Sequence, residues 1–253
     1  MARATTANID LEALRYNLAQ IRLAAPNAKV MAVVKADGYG HGLERVALAL
    51  STADAFGVAS LSDAQRLRAV GLQQKIVLLS GFDEPSDLQQ IRSLALDTVV
   101  HHQSQVDILM EDSGAPINVW LKMDSGMHRL GFDPEQFHQI FQQLKAMPNV
   151  ADDIRLMSHF ASSDELLNNQ TELQISCFDQ QIKTLDAENS LSNSAAILAW
   201  PLAHRDWVRA GGALYGLSVT SGKTGADFGL QPVMTLSTRL ISIKWIEKGE
   251  RVG

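Results

Sequence analysis

Short apolar runs rich in β-branched residues alternate along the chain with longer segments of helical periodicity. Val30-Met-Ala-Val-Val34 reads as a strand buried on both faces, and Ala55–Ala59, Ile76–Leu79, Thr98–Val100 and Val119–Leu121 repeat the pattern. Weaker runs at Ile154–Ser158, Leu191–Ser194 and Trp207–Arg209 bring the candidates to eight. Strands that are apolar on both faces belong to parallel sheets covered by helices. The segments between them supply those helices. Asp10 stands where it would cap a helix over Leu11–Leu23, with Leu11, Leu14, Leu18 and Ile21 on one face. Ser62 precedes Asp63–Val70, which Gly71 stops. Glu84-Pro85-Ser86 opens Asp87–Leu94, and Pro134 begins Glu135–Met147, which Pro148 ends.

This alternation predicts an α/β fold, a (β/α)8 TIM-like barrel over residues 1–230. The competing architecture, an open doubly wound sheet, needs a glycine-rich turn of fixed spacing after its first strand. Gly38, Gly40 and Gly42 are spaced Gly-x-Gly-x-Gly, which is not the dinucleotide fingerprint. Ser221-Gly222-Lys223-Thr224 has the tail of a Walker loop, but Leu217 occupies the place of its upstream glycine. The last stretch is different in kind. Val233 to Ile246 mixes Met234, Leu236, Leu240, Ile241, Ile243 and Trp245 with polar residues, as half-exposed strands do. The chain then ends at Gly253 without a closing element. Residues 231–253 therefore read as the truncated beginning of a C-terminal β-domain.

Composition narrows the classes. Across 253 residues, 46% are hydrophobic and 20% charged, which is an ordinary globular balance. Lys and Arg number 22 against 28 Asp and Glu, and the net charge of −6 argues against a nucleic-acid or membrane-surface partner. No apolar run approaches the roughly 20 residues of a membrane helix. Met1–Asp10 has no apolar core, so a secretory leader is not expected and the cytoplasm is the expected location. A single cysteine, Cys177, excludes an internal disulfide framework and a cysteine-rich zinc site.

Three clusters could carry chemistry. In Val33-Val-Lys-Ala-Asp-Gly-Tyr-Gly-His-Gly42 a lysine ends an apolar strand. Burying an unpaired ammonium is costly, which places Lys35 at the strand's C-terminal mouth, where barrel active sites form. A desolvated lysine there suits Schiff-base chemistry. A plain strand-end lysine reaching solvent has the same pattern. In Lys122-Met-Asp-Ser-Gly-Met-His-Arg-Leu-Gly131, Lys122 and Asp124 share a strand face and Arg129 follows in a loop. That suits an anionic ligand, or an internal ion-pair network that orders the loop. Ser192-Asn-Ser-Ala-Ala196 and Trp207-Val-Arg-Ala-Gly-Gly212 offer small residues and free amides where barrels commonly bind phosphate, or simply make tight turns. His159 ends a further strand. His101 and His102 are adjacent and so point to opposite faces, and no metal site is expected.

Taken together and in order, these motifs resemble alanine racemase. Val33–Gly42 resembles its pyridoxal-phosphate attachment signature, and Lys122–Gly131, Ser158-His-Phe-Ala161, Asn193-Ser-Ala195 and Arg209–Gly216 resemble its later motifs. Gly38, Ser125 and Ala210 depart from the usual residues without removing a reactive group. The resemblance implies a pyridoxal 5'-phosphate enzyme, an isomerase that interconverts L- and D-alanine by two-base proton transfer, for peptidoglycan supply or alanine catabolism. It implies that Lys35 carries the cofactor and serves as one base. Tyr39 would bond near the phosphate, and Ser194, Gly211 and Gly212 would bind it. Arg129 would contact the cofactor's phenolic oxygen and the substrate, oriented by Lys122, which is often carbamylated in the family. His159 would stack on the pyridine ring and bond to Arg209, and Arg209 would face the pyridine nitrogen. A homodimer is implied for the full-length protein, with the second base a tyrosine of the partner's C-terminal domain that Tyr16 and Tyr215 do not match. Other readings are a single-domain pyridoxal-phosphate-binding homeostasis protein and another amino-acid racemase of this fold.

Overall fold

The computed structural model describes residues 4–252. Eight strands form one parallel sheet: β2 (Lys29–Val33), β3 (Ala55–Val58), β4 (Lys75–Leu78), β5 (Asp97–Val100), β6 (Asn118–Lys122), β7 (Arg155–Met157), β8 (Asn189–Ser190) and β9 (Trp207–Ala210). They are ordered β8-β7-β6-β5-β4-β3-β2-β9. Side-chain and backbone bonds draw the two ends together: Arg209 N–H donates to Ser192 O at 2.9 Å, and Ser190 Oγ to Trp207 O at 2.8 Å. The result is a near-closed barrel. The helices α1 (Leu11–Ala24), α3 (Leu43–Ala49), α4 (Leu61–Ala69), α5 (Pro85–Ser93), α6 (Gln103–Glu111), α7 (Pro134–Lys145), α8 (Gln170–Ile182) and α9 (Ser194–Ala199) connect the strands, with the short α2 (Lys35–Tyr39) directly after β2.

Strand alternation builds two cores. Outward residues such as Val30, Ala32, Phe56, Ile76 and Leu121 meet the helices. Inward residues Met31, Ala55, Val77, Val99, Trp120, Met157 and Trp207 fill the barrel as a separate cluster. The period of two puts Lys122 on the face of Trp120, and Arg209 on the face of Trp207. Both cations therefore point up the barrel axis toward the C-terminal mouth.

The caps behave as the sequence indicates, with small shifts. Asp10 Oδ1 accepts the N–H groups of Glu12 and Ala13 at 2.9 and 3.0 Å. Asp87 reaches back to Glu84 N–H at 3.1 Å. Ser60, two residues before Ser62, caps α4 by accepting Asp63 N–H at 3.1 Å. The seventh strand candidate is displaced: β8 ends at Ser190, not Ser194. Asn193 caps α9 by accepting Ala196 N–H at 3.1 Å, so helix begins where strand was expected.

Outside the barrel, β1 (Thr6–Ile9) pairs antiparallel with β10 (Met234–Ser237). The β-pattern of Val233 to Ile246 yields only those four strand residues. A strand needs a ladder partner, and beyond Ser237 no described segment offers one. Leu240, Ile241, Ile243 and Trp245 are consequently exposed.

Candidate active site

The C-terminal mouth of the barrel opens into a cleft of about 710 Å³. All nine residues singled out in the sequence line it: Lys35, Tyr39, Lys122, Arg129, His159, Ser194, Arg209, Gly211 and Gly212. Four cations face one carboxylate, Asp164, so the cleft favours an anionic ligand.

Lys35 is held by an unusual backbone. Ala36, Asp37, Gly38 and Tyr39 all have φ between 53° and 62°, so α2 is one turn wound left-handed. Three of the four carry a side chain, at about 1–2 kcal/mol of strain each. Its own backbone bonds and contacts from outside hold the turn. Gly38 N–H donates to Val34 O at 2.9 Å and Gly40 N–H to Ala36 O at 3.0 Å. Asp37 Oδ1 accepts Leu43 N–H at 3.1 Å and the Arg66 guanidinium at 2.8 Å, while Arg66 also clamps Glu44. The Arg66 bond holds the Asp37 carboxyl below its ordinary pKa. Tyr39 stacks on Tyr215, ring centres 4.9 Å apart.

Arg209 is buried without any acid beside it. Its Nη1 donates to Ser190 O and Oγ at 2.9 and 2.6 Å, and its Nη2 to Ser158 O and to Leu191 O at 3.2 Å. Burial lowers its pKa to about 10, still protonated at neutral pH. Nη2 also lies 3.3 Å from His159 Nδ1. A guanidinium can only donate, so Nδ1 accepts and the imidazole proton sits on Nε2. Burial, then the Arg209 charge, push His159 well below its usual pKa, and it is neutral. Lys122 is 6% exposed and forms no salt bridge among the described residues. Burial and then the nearby Arg209 and Arg129 lower its pKa to about 8. Asp124 orders the neighbouring loop, accepting the N–H groups of Gly126, Met127 and His128 at 2.9–3.0 Å. Arg129 at the end of that loop is exposed.

At the other side of the cleft, Ser194 Oγ accepts Gly211 N–H at 2.9 Å and Ala213 N–H at 3.2 Å. Its own proton is free to be donated outward. A Cβ on Gly211 would sit 2.5 Å from Tyr39 Oη, so only glycine leaves this corner open. No group of three or more His, Cys, Asp and Glu among the described residues could hold a metal ion. No helix among them is long and apolar enough to cross a membrane. His101 and His102 are structural: one bonds Ser80 O at 2.8 Å, the other accepts Ser104 N–H at the start of α6.

The family model described as "Alanine racemase, N-terminal domain" matches residues 9–219. The chain belongs to the alanine racemase family. It is 48% identical over 252 residues to the alanine racemase of Vibrio parahaemolyticus, covering 99% of this chain and 70% of that protein. It is also 48% identical to the alanine racemase of Shewanella sp. strain MR-7, across 98% of this chain and 69% of the relative. Among solved structures, the biosynthetic alanine racemase of Pseudomonas aeruginosa superposes with a TM-score of 0.95 at 41% identity, over 99% of this chain and 70% of that one. The alanine racemase of Acinetobacter baumannii gives 0.90 at 34% identity, over 97% and 73%. Alanine racemases are isomerases dependent on pyridoxal phosphate. The donor set fits that group: a lysine at the mouth, a hydroxyl with its proton free, a corner a Cβ would fill, and a guanidinium held on the barrel axis.

The sequence did not mark Ser163, Asp164 and Ser218–Ser221, which also line the cleft. The signal for the last was present in Ser221-Gly222-Lys223-Thr224, read only as a failed Walker loop. Nothing in the sequence pointed to Arg66, whose role depends on two helices meeting.

Proposed function

We propose that this chain supplies the cofactor-binding half of a pyridoxal-phosphate-dependent alanine racemisation by two-base proton transfer. The observation that carries the reading is the convergence of Lys35, Arg209, His159 and Ser194 on one cleft at the barrel mouth. The near-complete coverage of the chain by 48%-identical alanine racemases favours it over a single-domain cofactor carrier or a racemase of another amino acid.

When bound, the cofactor acidifies the α-hydrogen of an attached amino acid by spreading the charge of the carbanion. Lys35 Nζ would hold the cofactor and move a proton on one face of the α-carbon. Ser194 Oγ and the Gly212 amide would bind the phosphate at the corner that Gly211 keeps open, beside Tyr39 Oη. Arg209 would donate to the ring nitrogen. With a pKa of about 10 it keeps its own proton, which would leave the ring nitrogen unprotonated and restrain transamination. Neutral His159 accepts from Arg209 and would help hold the ring. Arg129, oriented by Lys122, would bind the phenolic oxygen and the substrate carboxylate.

The base for the opposite face is proposed to be a tyrosine outside these 253 residues, from a partner subunit of a homodimer. Three tyrosines are present in the chain. Tyr16 lies on the outer helix α1, and Tyr39 and Tyr215 stack on each other. Burial raises both of those phenols above their ordinary pKa. The test is borohydride reduction with pyridoxal phosphate, followed by peptide mapping. The pyridoxyl group is expected on Lys35. Label on Lys122 would overturn the assignment.

A further inference from the structure

One buried amide behind the site has no part in the roles above. Gln174 lies on the buried face of α8 with Thr171 and Phe178, and is 1% exposed. Its Oε1 accepts Ala161 N–H at 2.9 Å. Its Nε2 donates to His159 O at 3.1 Å and to Ser125 Oγ at 3.3 Å. A backbone N–H only donates and a carbonyl only accepts, so the amide has one orientation. All three bonds go to loops at the barrel mouth. The hydroxyls extend the chain. Met123 O must accept, so Ser158 Oγ donates to it at 2.9 Å, and Ser125 Oγ donates to Ser158 Oγ at 2.7 Å while accepting from Gln174. Gln174 therefore holds His159 directly and Ser158 through Ser125. Those two residues carry two of the acceptors of Arg209 Nη2, Ser158 O and His159 Nδ1. Gln170, one turn earlier on the same face, makes a parallel staple: Nε2 donates to Gly126 O at 3.4 Å, and Oε1 accepts from Ser162 Oγ at 2.8 Å. It bonds to neither Ser158 nor His159. A buried amide is costly unless bonded, and a methionine would fill similar volume without that cost. What the polarity of Gln174 contributes is the placement of the residues it binds.

We propose that Gln174 is a positioning residue, its carboxamide setting the main chain of Ser158 and His159 so that Arg209 Nη2 meets Ser158 O and His159 Nδ1. Its bearing on the cofactor rests on the reading of His159 and Arg209 as groups that hold the ring.

The test compares the 253-residue protein, carrying nitrogen-labelled histidine, with Q174M, Q174N and Q170M. His159 is identified among the seven histidines by the resonances lost in His159→Gln. Without cofactor, the Nδ1 resonance of His159 is expected at a hydrogen-bonded position in the parent and in Q170M. In Q174M it should move toward the value of a free imidazole nitrogen. Q174M and Q170M should both lower the melting temperature, so a helix that merely packs less well does not reproduce the difference between them. Titration with pyridoxal 5'-phosphate, followed by visible absorbance, should show affinity lowered roughly three- to tenfold in Q174M, as for the loss of a neutral hydrogen bond. An unmoved resonance in Q174M, or an equal movement in Q170M, would overturn the proposal. A moved resonance with unchanged cofactor affinity would uphold the positioning and overturn instead the reading of His159 as a group that holds the ring. Should Q174M not fold, Q174N decides in the same way, because its amide is uncharged and one methylene too short to span both loops.

Discussion

Lys122 shows how this site trades stability for chemistry. Its ammonium is buried among cations, and its pKa falls from 10.5 to about 8. A lowered lysine pKa means that the folded state resists the proton that the unfolded chain accepts. Stability is therefore diminished below pH 8, by about 3 kcal/mol on the usual conversion, and recovers as pH rises toward 10.5. Lys122→Met should accordingly raise the melting temperature at pH 7 by several degrees, with the gain shrinking as pH rises past 8. A pH-independent change would remove this explanation. The same shift leaves roughly a tenth of the amines neutral at pH 7, the form that can add carbon dioxide. A carbamate there would turn a fourth cation into an anion beside Arg129, consistent with the proposed orienting role. Arg209 is the second pivot. Arg209→Glu offers the ring nitrogen an acid in place of a guanidinium and leaves Ser158 O, Ser190 O and Leu191 O without their donor. In an assembled enzyme, racemisation should slow by about 100-fold or more, and up to one pyruvate per bound cofactor should form from alanine as the cofactor keeps the amino group. Unchanged racemisation with no pyruvate would refute the assignment.

Among the elements, α2 is the one whose shape the sequence could not foretell. The glycines of Val33-Val-Lys-Ala-Asp-Gly-Tyr-Gly suit a turn after the strand. Yet Ala36, Asp37 and Tyr39 take left-handed backbone that their side chains disfavour. The conformation is imposed from α3 and α4, through Leu43 N–H and Arg66, which are contacts no local pattern encodes. Asp37→Ala removes both contacts and should lower pyridoxal-phosphate affinity roughly three- to tenfold, while Asp37→Asn, which can still accept Leu43 N–H, should lose less. Cofactor titration beside amide exchange at Leu43 checks this; affinity that falls with no faster exchange would point away from the turn. The clamp has an acid limit too. With its pKa depressed, Asp37 contributes above its ordinary value of 3.8, and the contribution is lost as pH falls through the lower folded value. Elsewhere the short-range signals sufficed. Asp10, Pro85 and Pro134 start their helices as read, because capping is decided within a few residues. The strand before α9 was placed too late because Leu191 looks like a strand residue, whereas β8 ends at Ser190 and Asn193 caps α9 by accepting Ala196 N–H.

Over the whole molecule, the barrel was legible because its strands are buried on both faces and its helices carry their own start and stop signals. Lys35, Lys122 and the Ser192–Ala196 and Trp207–Gly212 segments were legible because they stand at strand ends, where barrel chemistry gathers, whereas Tyr39 and a role for His159 came only with the resemblance to alanine racemase. The pairing of Thr6–Ile9 with Met234–Ser237 was not, since nothing local joins segments more than 220 residues apart. The two ends of the barrel also differ in purpose. At the mouth, Lys35, Lys122, Arg129 and Arg209 form no salt bridge among the described residues. At the floor the carboxylates have cationic partners: Asp97 accepts Trp120 Nε1 and Lys75 Nζ, each at 3.0 Å, and Glu188 binds Lys29, Arg155 and Trp207. Those partners outweigh desolvation and lower Glu188 to about 2. Trp120 and Trp207 meet edge to face across that floor, 5.5 Å apart, whereas Trp245 is 99% exposed on the opposite kind of surface. The molecule thus carries its own pair of optical probes. Emission from the shielded indoles should be blue-shifted, resistant to iodide, and dimmed by energy transfer when a yellow chromophore settles into the mouth above them. Emission from Trp245 should be red-shifted and iodide-sensitive. A variant with both Trp200 and Trp245 replaced by Phe, whose remaining fluorescence ignores the chromophore, would place that ligand away from the barrel axis.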